Sequence, residues 1–319
     1  MKNMCTDLLG VDIGGTNIKI GVIDGSYNVK DFIKFKTEKD DVDAMLSSIC
    51  DVICDLKDKY GFSEVGVGSP GRIEDNRTVI EAGNISYDNT PCADIIERKT
   101  GLTVYLDNDA NCALYGEKFA GAGKDVSDML VLTIGTGVGG GIMIGRKCYR
   151  GHNGRAGELG HFIMDINGEP CSCGLRGCFE QYASVTAFMK AARKAAAEHK
   201  ESILYEIVGG DLSKIGGRTP FYAMYQGCCV SQKVIEEYIC HLSDGINSLA
   251  KMFQPEIIVL TGGIINEGQI IADMLAPHLM PFANCVLSPL SGNAGLIGAA
   301  LIKRERETAA QNVLPFANE

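Results

Sequence analysis

One imidazole and three thiols lie close together in the stretch Gly154 to Glu180, GRAGELGHFIMDINGEPCSCGLRGCFE: His161, Cys171, Cys173 and Cys178, spaced H-x9-C-x-C-x4-C. Three thiolates and one imidazole are the ligand mix of a closed tetrahedral zinc site. Gly174 and Gly177 sit inside the cysteine loop, where a chain wrapping a metal needs tight turns and positive φ. The competing reading is a run of buried or reactive cysteines beside an unrelated His, since a free Cys packs as a small hydrophobe. The ligand count and the interleaved glycines favour the metal. A metal there would hold the flanking Glu158 and Glu180 in fixed directions, which makes both carboxylates candidates for gripping a polar ligand.

A second kind of chemistry is written in glycine. Leu8 to Asp12 reads as a short apolar strand, Gly14, Gly15 and Thr16 as a turn, and Ile18 to Ile23 as a returning strand. Adjacent glycines let backbone N–H groups close on an anion, Thr16 adds a hydroxyl donor, and Asp12 could orient a hydrated Mg²⁺ beside a phosphate. The pattern is neither a P-loop nor a Rossmann fingerprint, and taken alone it is equally an ordinary hairpin. Its partner is MLVLTIGTGVGGGIMIG at Met129 to Gly145, again strand, Gly/Thr turn and strand, which suggests an internal duplication. A third corner follows the strand Ile257 to Leu260, where Thr261, Gly262 and Gly263 end it. Three such corners suit a nucleotide held between two α/β domains; tight sheet corners are the bland alternative.

A candidate base lies at another strand end. Leu102 to Leu106 empties into Asp107, Asn108, Asp109, Ala110 and Asn111, and strand ends of this kind are where open α/β sheets bind ligands. Asp109 reads as the N-cap of a helix from Ala110 to Phe119, as a carboxylate able to take a proton from a bound hydroxyl, or as both. Glu64 to Gly71 is a strand running into a Gly/Pro turn, and Asn84 follows in a polar loop.

The elements that must carry these groups are mostly periodic. Val42 to Tyr60 repeats apolar residues at three and four and reads as a helix. So do Ser184 to Lys200, capped by Ser184, and Ser231 to Phe253, stopped by Pro255. Gly209 to Pro220 has the composition of a connector. A last helix spans Ala294 to about Arg306, and the tail from Glu307 is expected to fray.

With 319 residues, two domains are expected. Hydrophobic content of 45% with 22% charged residues is that of an ordinary globular protein. A net charge of -10, from 30 Lys plus Arg against 40 Asp plus Glu, disfavours nucleic acid as a partner. No long apolar run indicates a membrane span, and MKNMCTDLLG lacks a signal-peptide pattern, so a cytoplasmic protein is expected. Thirteen Cys in a chain of this size point to reduced thiols, with Cys50, Cys54, Cys112 and Cys240 read as packed in helices.

D-I-G-G-T at Asp12 to Thr16, D-N-D-A-N at Asp107 to Asn111, T-I-G-T-G-V-G-G-G at Thr133 to Gly141 and G-E-L-G-H through C-x-C-G-x-x-G-C-x-E occur in this order across nearly the whole chain. In this the sequence resembles the ROK family (repressors, open reading frames and kinases), and its wording is most similar to the bacterial glucokinase branch. The resemblance implies a two-domain, actin-like (sugar kinase/ribonuclease H-like) α/β fold with an interdomain cleft and a structural zinc loop. It implies a small domain of residues 1–120 plus a C-terminal helix of about 296–319, and a large domain of 121–295. Asp109 would be the general base. Gly71, Asn84, Asn108, Glu158, His161 and Glu180 would bind a hexose together with Asp109, and His161 would also bind zinc through its second ring nitrogen. Asp12, Gly14, Gly15, Thr16, Lys19, Thr136, Gly137, Gly262 and Gly263 would hold ATP and Mg²⁺. The implied reaction is phosphorylation of a hexose at its 6-hydroxyl, glucose first, with an N-acetylhexosamine (N-acetylmannosamine or N-acetylglucosamine), allose or fructose as alternatives, in a homodimer or homotetramer. The family also contains sugar-responsive repressors. These place a helix-turn-helix before the first glycine hairpin, and here barely a strand precedes Asp12.

Overall fold

The computed structural model describes residues 7–263 and 267–311. The chain divides into two compact units, the first built from residues up to Val131, from Gly141–Gly157 and from Asn293 onward, the second from Leu132–Gly140 and Glu158–Gly292.

In the first unit β1 (Leu8–Ile13) turns back as β2 (Asn17–Ile23), and β2 pairs antiparallel with β3 (Val29–Lys36). Along β3 half-buried and exposed residues alternate, as an edge strand with one wet face requires. The helix α1 (Val42–Tyr60) starts where the Asp41 carboxylate accepts from the Ala44 N–H, and stops at Gly61, which adopts the left-handed conformation. Between them Met45, Leu46, Ile49, Ile53 and Leu56 form its buried stripe. β4 (Glu64–Ser69) joins β1 in parallel, a small hairpin of β5 (Ile73–Glu74) and β6 (Thr78–Val79) and the helix α2 (Cys92–Thr100) follow, and β7 (Thr103–Asn108) pairs parallel with β4 before α3 (Asp109–Ala120). The sheet order is β3-β2-β1-β4-β7.

The second sheet repeats that order. It takes β8 (Met129–Ile134), β9 (Val138–Ile144), β10 (Lys147–Cys148), β11 (Ile257–Gly262) and β12 (Cys285–Leu287) in the arrangement β10-β9-β8-β11-β12. Equivalent hairpins in equivalent places are what a duplicated unit gives. Between β10 and β12 come α4 (Glu180–Ala183), α5 (Val185–Glu198), α6 (Ile203–Ile207), α7 (Thr219–Tyr225), α8 (Cys229–Phe253) and α9 (Gln269–Leu275). α8 anchors the helical layer: Phe179, Phe188, Phe221 and Tyr238 are buried together with it, and the Tyr238 hydroxyl donates to the Ala183 carbonyl at 2.9 Å.

The chain closes with α10 (Ala294–Ala300) and α11 (Ile302–Gln311), both in the first unit. α10 packs on α3, β1 and β4. Backbones meet there so closely that a Cβ on Gly298 would lie 1.6 Å from the Cys112 carbonyl oxygen, and one on Gly66 1.8 Å from that of Ala299. A buried ion pair, Lys118 to Glu305 at 2.5 Å, ties α3 to α11.

Several expectations need correction. The C-terminal helix is interrupted at Leu301, and the part described continues to Gln311 rather than fraying from Glu307; the residues beyond lie outside the described set. The 209–220 connector contains a helical turn at Leu212–Lys214, and Pro220 opens α7, as a proline's fixed φ allows. Ser231 lies inside α8, which starts at Cys229. Cys240 is exposed, whereas Cys50 and Cys112 are buried.

Candidate functional site

The end of β7 is where the first unit concentrates charge. Asn108, with extended φ and ψ, is the N-cap of α3: its side-chain oxygen accepts from Ala110 N–H at 2.9 Å and Asn111 N–H at 3.2 Å. This corrects the assignment of Asp109 as cap. Both residue types cap well, and the backbone places the helix start one residue earlier, leaving Asp109 in the first turn with its Oδ1 at 2.9 Å from Ala110 N–H. The Asn108 amide also donates to the Gly71 carbonyl at 3.3 Å, so two predicted hexose ligands meet. Gly71 has φ +99, and a Cβ there would lie 2.2 Å from the Glu81 carbonyl oxygen.

Beneath these residues is a network that the sequence did not announce. Asp107 is 1% exposed. One of its oxygens accepts from Asn108 N–H at 2.7 Å and the Asn111 amide at 3.3 Å; the other accepts from the Tyr115 hydroxyl at 3.0 Å and from Arg150. Arg150 donates as well to the Tyr115 hydroxyl at 2.7 Å. Burial opposes the charge on Arg150, but the Asp107 carboxylate raises its pKa further above the ordinary guanidinium value. Burial, and then the Asp107 charge, pushes the Tyr115 phenol well up, consistent with a neutral donor. The Cys112 thiol is likewise held neutral by burial and then by the carboxylates of Asp107, Asp12 and Asp109 around it. Arg150 lies 43 residues from Asp107 in sequence, beyond any spacing rule, and nothing local sets it apart from Arg146 and Arg155.

In the first glycine turn, Gly14 N–H closes on the Asn17 carbonyl at 3.0 Å, and the Thr37 hydroxyl donates to the Gly14 carbonyl at 2.6 Å. Asp12 is 3.4 Å from the Lys19 ammonium, and a Cβ on Gly295 would touch the Asp12 carboxylate at 3.1 Å. The Thr16 carbonyl accepts from Thr37 N–H at 3.1 Å. Asn84 lies over Gly15, where its amide nitrogen would be 2.1 Å from an added Cβ. A predicted hexose ligand and a predicted phosphate turn therefore touch.

The second unit has the same juxtaposition. A Glu180 oxygen accepts from Val138 N–H at 2.9 Å and would sit 2.3 Å from a Cβ on Gly137. The turn is held from the other side by α5, whose Val185 N–H donates to Gly135 and whose Thr186 hydroxyl donates to the Thr136 carbonyl. Gly262, with φ +97, packs on the end of β8: a Cβ would lie 2.5 Å from the Ile134 carbonyl oxygen, and one on Gly263 3.9 Å from it.

The four side chains of the metal loop converge. The ligand atoms of His161, Cys171, Cys173 and Cys178 all lie within 4.8 Å of one another. His161 Nδ1 is 3.5 Å from Cys171 Sγ, and the Sγ atoms of Cys173 and Cys178 are 3.6 Å apart. Zinc–ligand bonds of about 2.0–2.3 Å in a tetrahedron place ligand atoms roughly 3.5–3.8 Å apart, the spacing these two pairs have, so the donor set fits Zn²⁺. Burial opposes ionisation of Cys171, but hydrogen bonds from Cys173, Cys178 and Gln181 bring it down to about 7; burial and its thiol neighbours push Cys178 up to about 12. Three thiols so crowded cannot all ionise without a cation between them. The other ring nitrogen of His161 faces Glu158 at 3.8 Å, and the Gln181 amide donates to Cys171 at 3.5 Å.

Comparison with known proteins places this geometry. The ROK family model matches residues 8–306. The chain is 34% identical to the glucokinase of Streptomyces coelicolor over 309 residues, 93% of this chain and 97% of that protein. A crystal structure of a ROK family glucokinase from Streptomyces griseus in complex with glucose and AMPPNP is similar with a TM-score of 0.85 at 34% identity, covering 92% of this chain and 98% of that one. The xylose repressor of Caldicellulosiruptor bescii is 33% identical over 218 residues, 67% of this chain and 54% of the repressor. The motifs, the doubled sheet and these likenesses agree: the chain belongs to the ROK family.

Proposed function

We propose that the chain transfers the γ-phosphoryl group of ATP to the 6-hydroxyl of a hexose, with glucose as the favoured acceptor. The observation that carries this reading is Asp109, a half-buried carboxylate at the carboxyl end of β7 with the helix cap supplied by its neighbour Asn108. Asp109 would accept the hydroxyl proton while the new O–P bond forms and the bond to the ADP oxygen breaks. Gly71, Asn84, Asn108, Glu158, His161 and Glu180 would hold the other sugar hydroxyls. Asp12, Gly14, Gly15, Thr16 and Lys19, with Thr136, Gly137, Gly262 and Gly263, would hold ATP and its Mg²⁺, which neutralises phosphate charge. Zn²⁺ on His161, Cys171, Cys173 and Cys178 would lock the loop and fix the His161 ring. The reading carries a cytoplasmic, homodimeric or homotetrameric enzyme with it.

The test is ADP release from ATP across a panel of glucose, mannose, N-acetylmannosamine, N-acetylglucosamine, allose and fructose, compared by kcat/KM. Glucose is expected to lead, and 6-deoxyglucose to inhibit without turnover; ADP release driven by 6-deoxyglucose would refute the 6-hydroxyl as acceptor. The likeness to a xylose repressor supports a second reading, a sugar-responsive DNA-binding regulator. Salt-resistant, sequence-specific retardation of operator DNA would favour it.

A further inference from the structure

We infer that Arg150 is a positioning residue for Asp109, acting through the buried carboxylate of Asp107; the inference rests on Asp109 being the base. Asp107 binds the junction of β7 and α3 at three places, through Asn108 N–H, the Asn111 amide and the Tyr115 hydroxyl. The Asn108 peptide so held presents the side chain that caps Ala110 and Asn111, and Asp109 is the residue between peptide and cap. Its direction is therefore set by where Asp107 holds these donors. A carboxylate 1% exposed has lost its hydration and needs a cation against it to be held there. Arg150 is that cation, and it bonds Tyr115 as well, so it braces the carboxylate and one of its donors together. The Arg306 guanidinium lies nearby, donating to the Leu106 carbonyl at 2.7 Å, one residue before Asp107.

A purely structural role for Arg150 is the competing account, and α3 supplies its own control. The Lys118–Glu305 pair, with side chains 3% and 7% exposed, is a buried ion pair at the end of α3 away from Asp109, whereas Arg150 meets Asp107 at the other end with 36% of its side chain exposed. Both pairs should matter for folding, and only the first should matter for the chemical step.

The experiment compares wild type, Arg150→Met, Arg150→Lys and Lys118→Met by steady-state kinetics and thermal melting, each loaded with zinc. Arg150→Met is expected to lower kcat about 100-fold with both KM values within about threefold, the signature of a misdirected base rather than lost binding. Arg150→Lys should recover most but not all of that loss, leaving kcat about three- to tenfold below wild type, since it restores the charge without the planar fork. Lys118→Met should melt lower while keeping kcat within about twofold of wild type. A kcat for Arg150→Met within twofold of wild type overturns the inference, as does an equal kcat loss in Lys118→Met. If Arg150→Met does not fold, Arg150→Lys decides: kcat reduced about three- to tenfold at unchanged KM supports the inference, and wild-type kcat overturns it. Absence of hexose-dependent ADP release by the wild type would instead refute the phosphotransfer reading, and the inference with it.

Discussion

The end of β7 and the cysteine loop both hold polar groups in fixed directions, by opposite means. At β7 a regular strand and helix meet, and one buried carboxylate binds the backbone and side chains of the junction into a single piece. The loop from His161 to Cys178 has almost no regular structure. Two isolated bridges, Ile163 with Cys178 and Pro170 with Arg176, and turns at Gly174 and Gly177 are its backbone frame. Precision comes from secondary structure in the first region and, in the reading proposed above, from a four-ligand cross-link in the second. Such a division suits the work: a base needs one invariant direction, whereas a recognition loop needs a shape that helices and strands do not supply.

The contrast can be broken at either end. The largest effect is expected from Asp109→Ala, which should lower kcat by about 10³-fold or more, measured as glucose-dependent ADP release; turnover near wild type would remove Asp109 from the chemistry. Next comes Cys173→Ser, which should abolish stoichiometric zinc by metal analysis and weaken hexose binding with it, since a three-ligand remnant no longer closes the tetrahedron. Full zinc occupancy in that variant would refute the ligand set. Gly177→Ala probes the loop without touching a ligand: with φ +64 and a Cβ only 1.7 Å from the Asp165 carbonyl oxygen, it should destabilise the protein by about 2 kcal/mol or more, read as a lower Tm. An unchanged Tm would mean that the loop frame is looser than its turns imply.

The smallest effect serves as a baseline away from both regions. The Glu97 carboxyl is held below its ordinary value of 4.5, first by the hydrogen bond from Arg77, against burial, and then by Val104 N–H. A carboxylate more acidic in the folded chain contributes stability above its unfolded pKa and loses it as pH falls through the folded one. Glu97→Gln should therefore melt slightly below wild type near pH 7 and converge with it as the pH falls below the ordinary carboxyl range, by a small margin because the pair is partly exposed. A gap that widens with acid would reverse the sign.

What the sequence made legible follows its range. Features written within a few residues of one another came through: both glycine hairpins, the Val42–Tyr60 helix at its observed limits, the Ser184 cap and the cysteine spacing. Asn and Asp carry the same local capping signal, so the sequence points to Asp109 where the extended backbone at Asn108 puts the cap one position earlier. β3 went unread although its alternation is regular, since charged residues fill its wet face. Contacts between distant segments were silent. Arg150 on Asp107, Glu180 on the Gly137 turn and Lys118 on Glu305 are separated by 43, 42 and 187 residues, and no periodicity links such pairs. Roles proposed from motifs thus arrive without the network that aims them.

The division between the two regions is tested most directly by calorimetric titration of glucose into Asp109→Ala and Cys173→Ser side by side. The account predicts a Kd for Asp109→Ala within about tenfold of wild type and one at least about 100-fold weaker for Cys173→Ser. Equal weakening in both variants, or intact binding in Cys173→Ser, would contradict it.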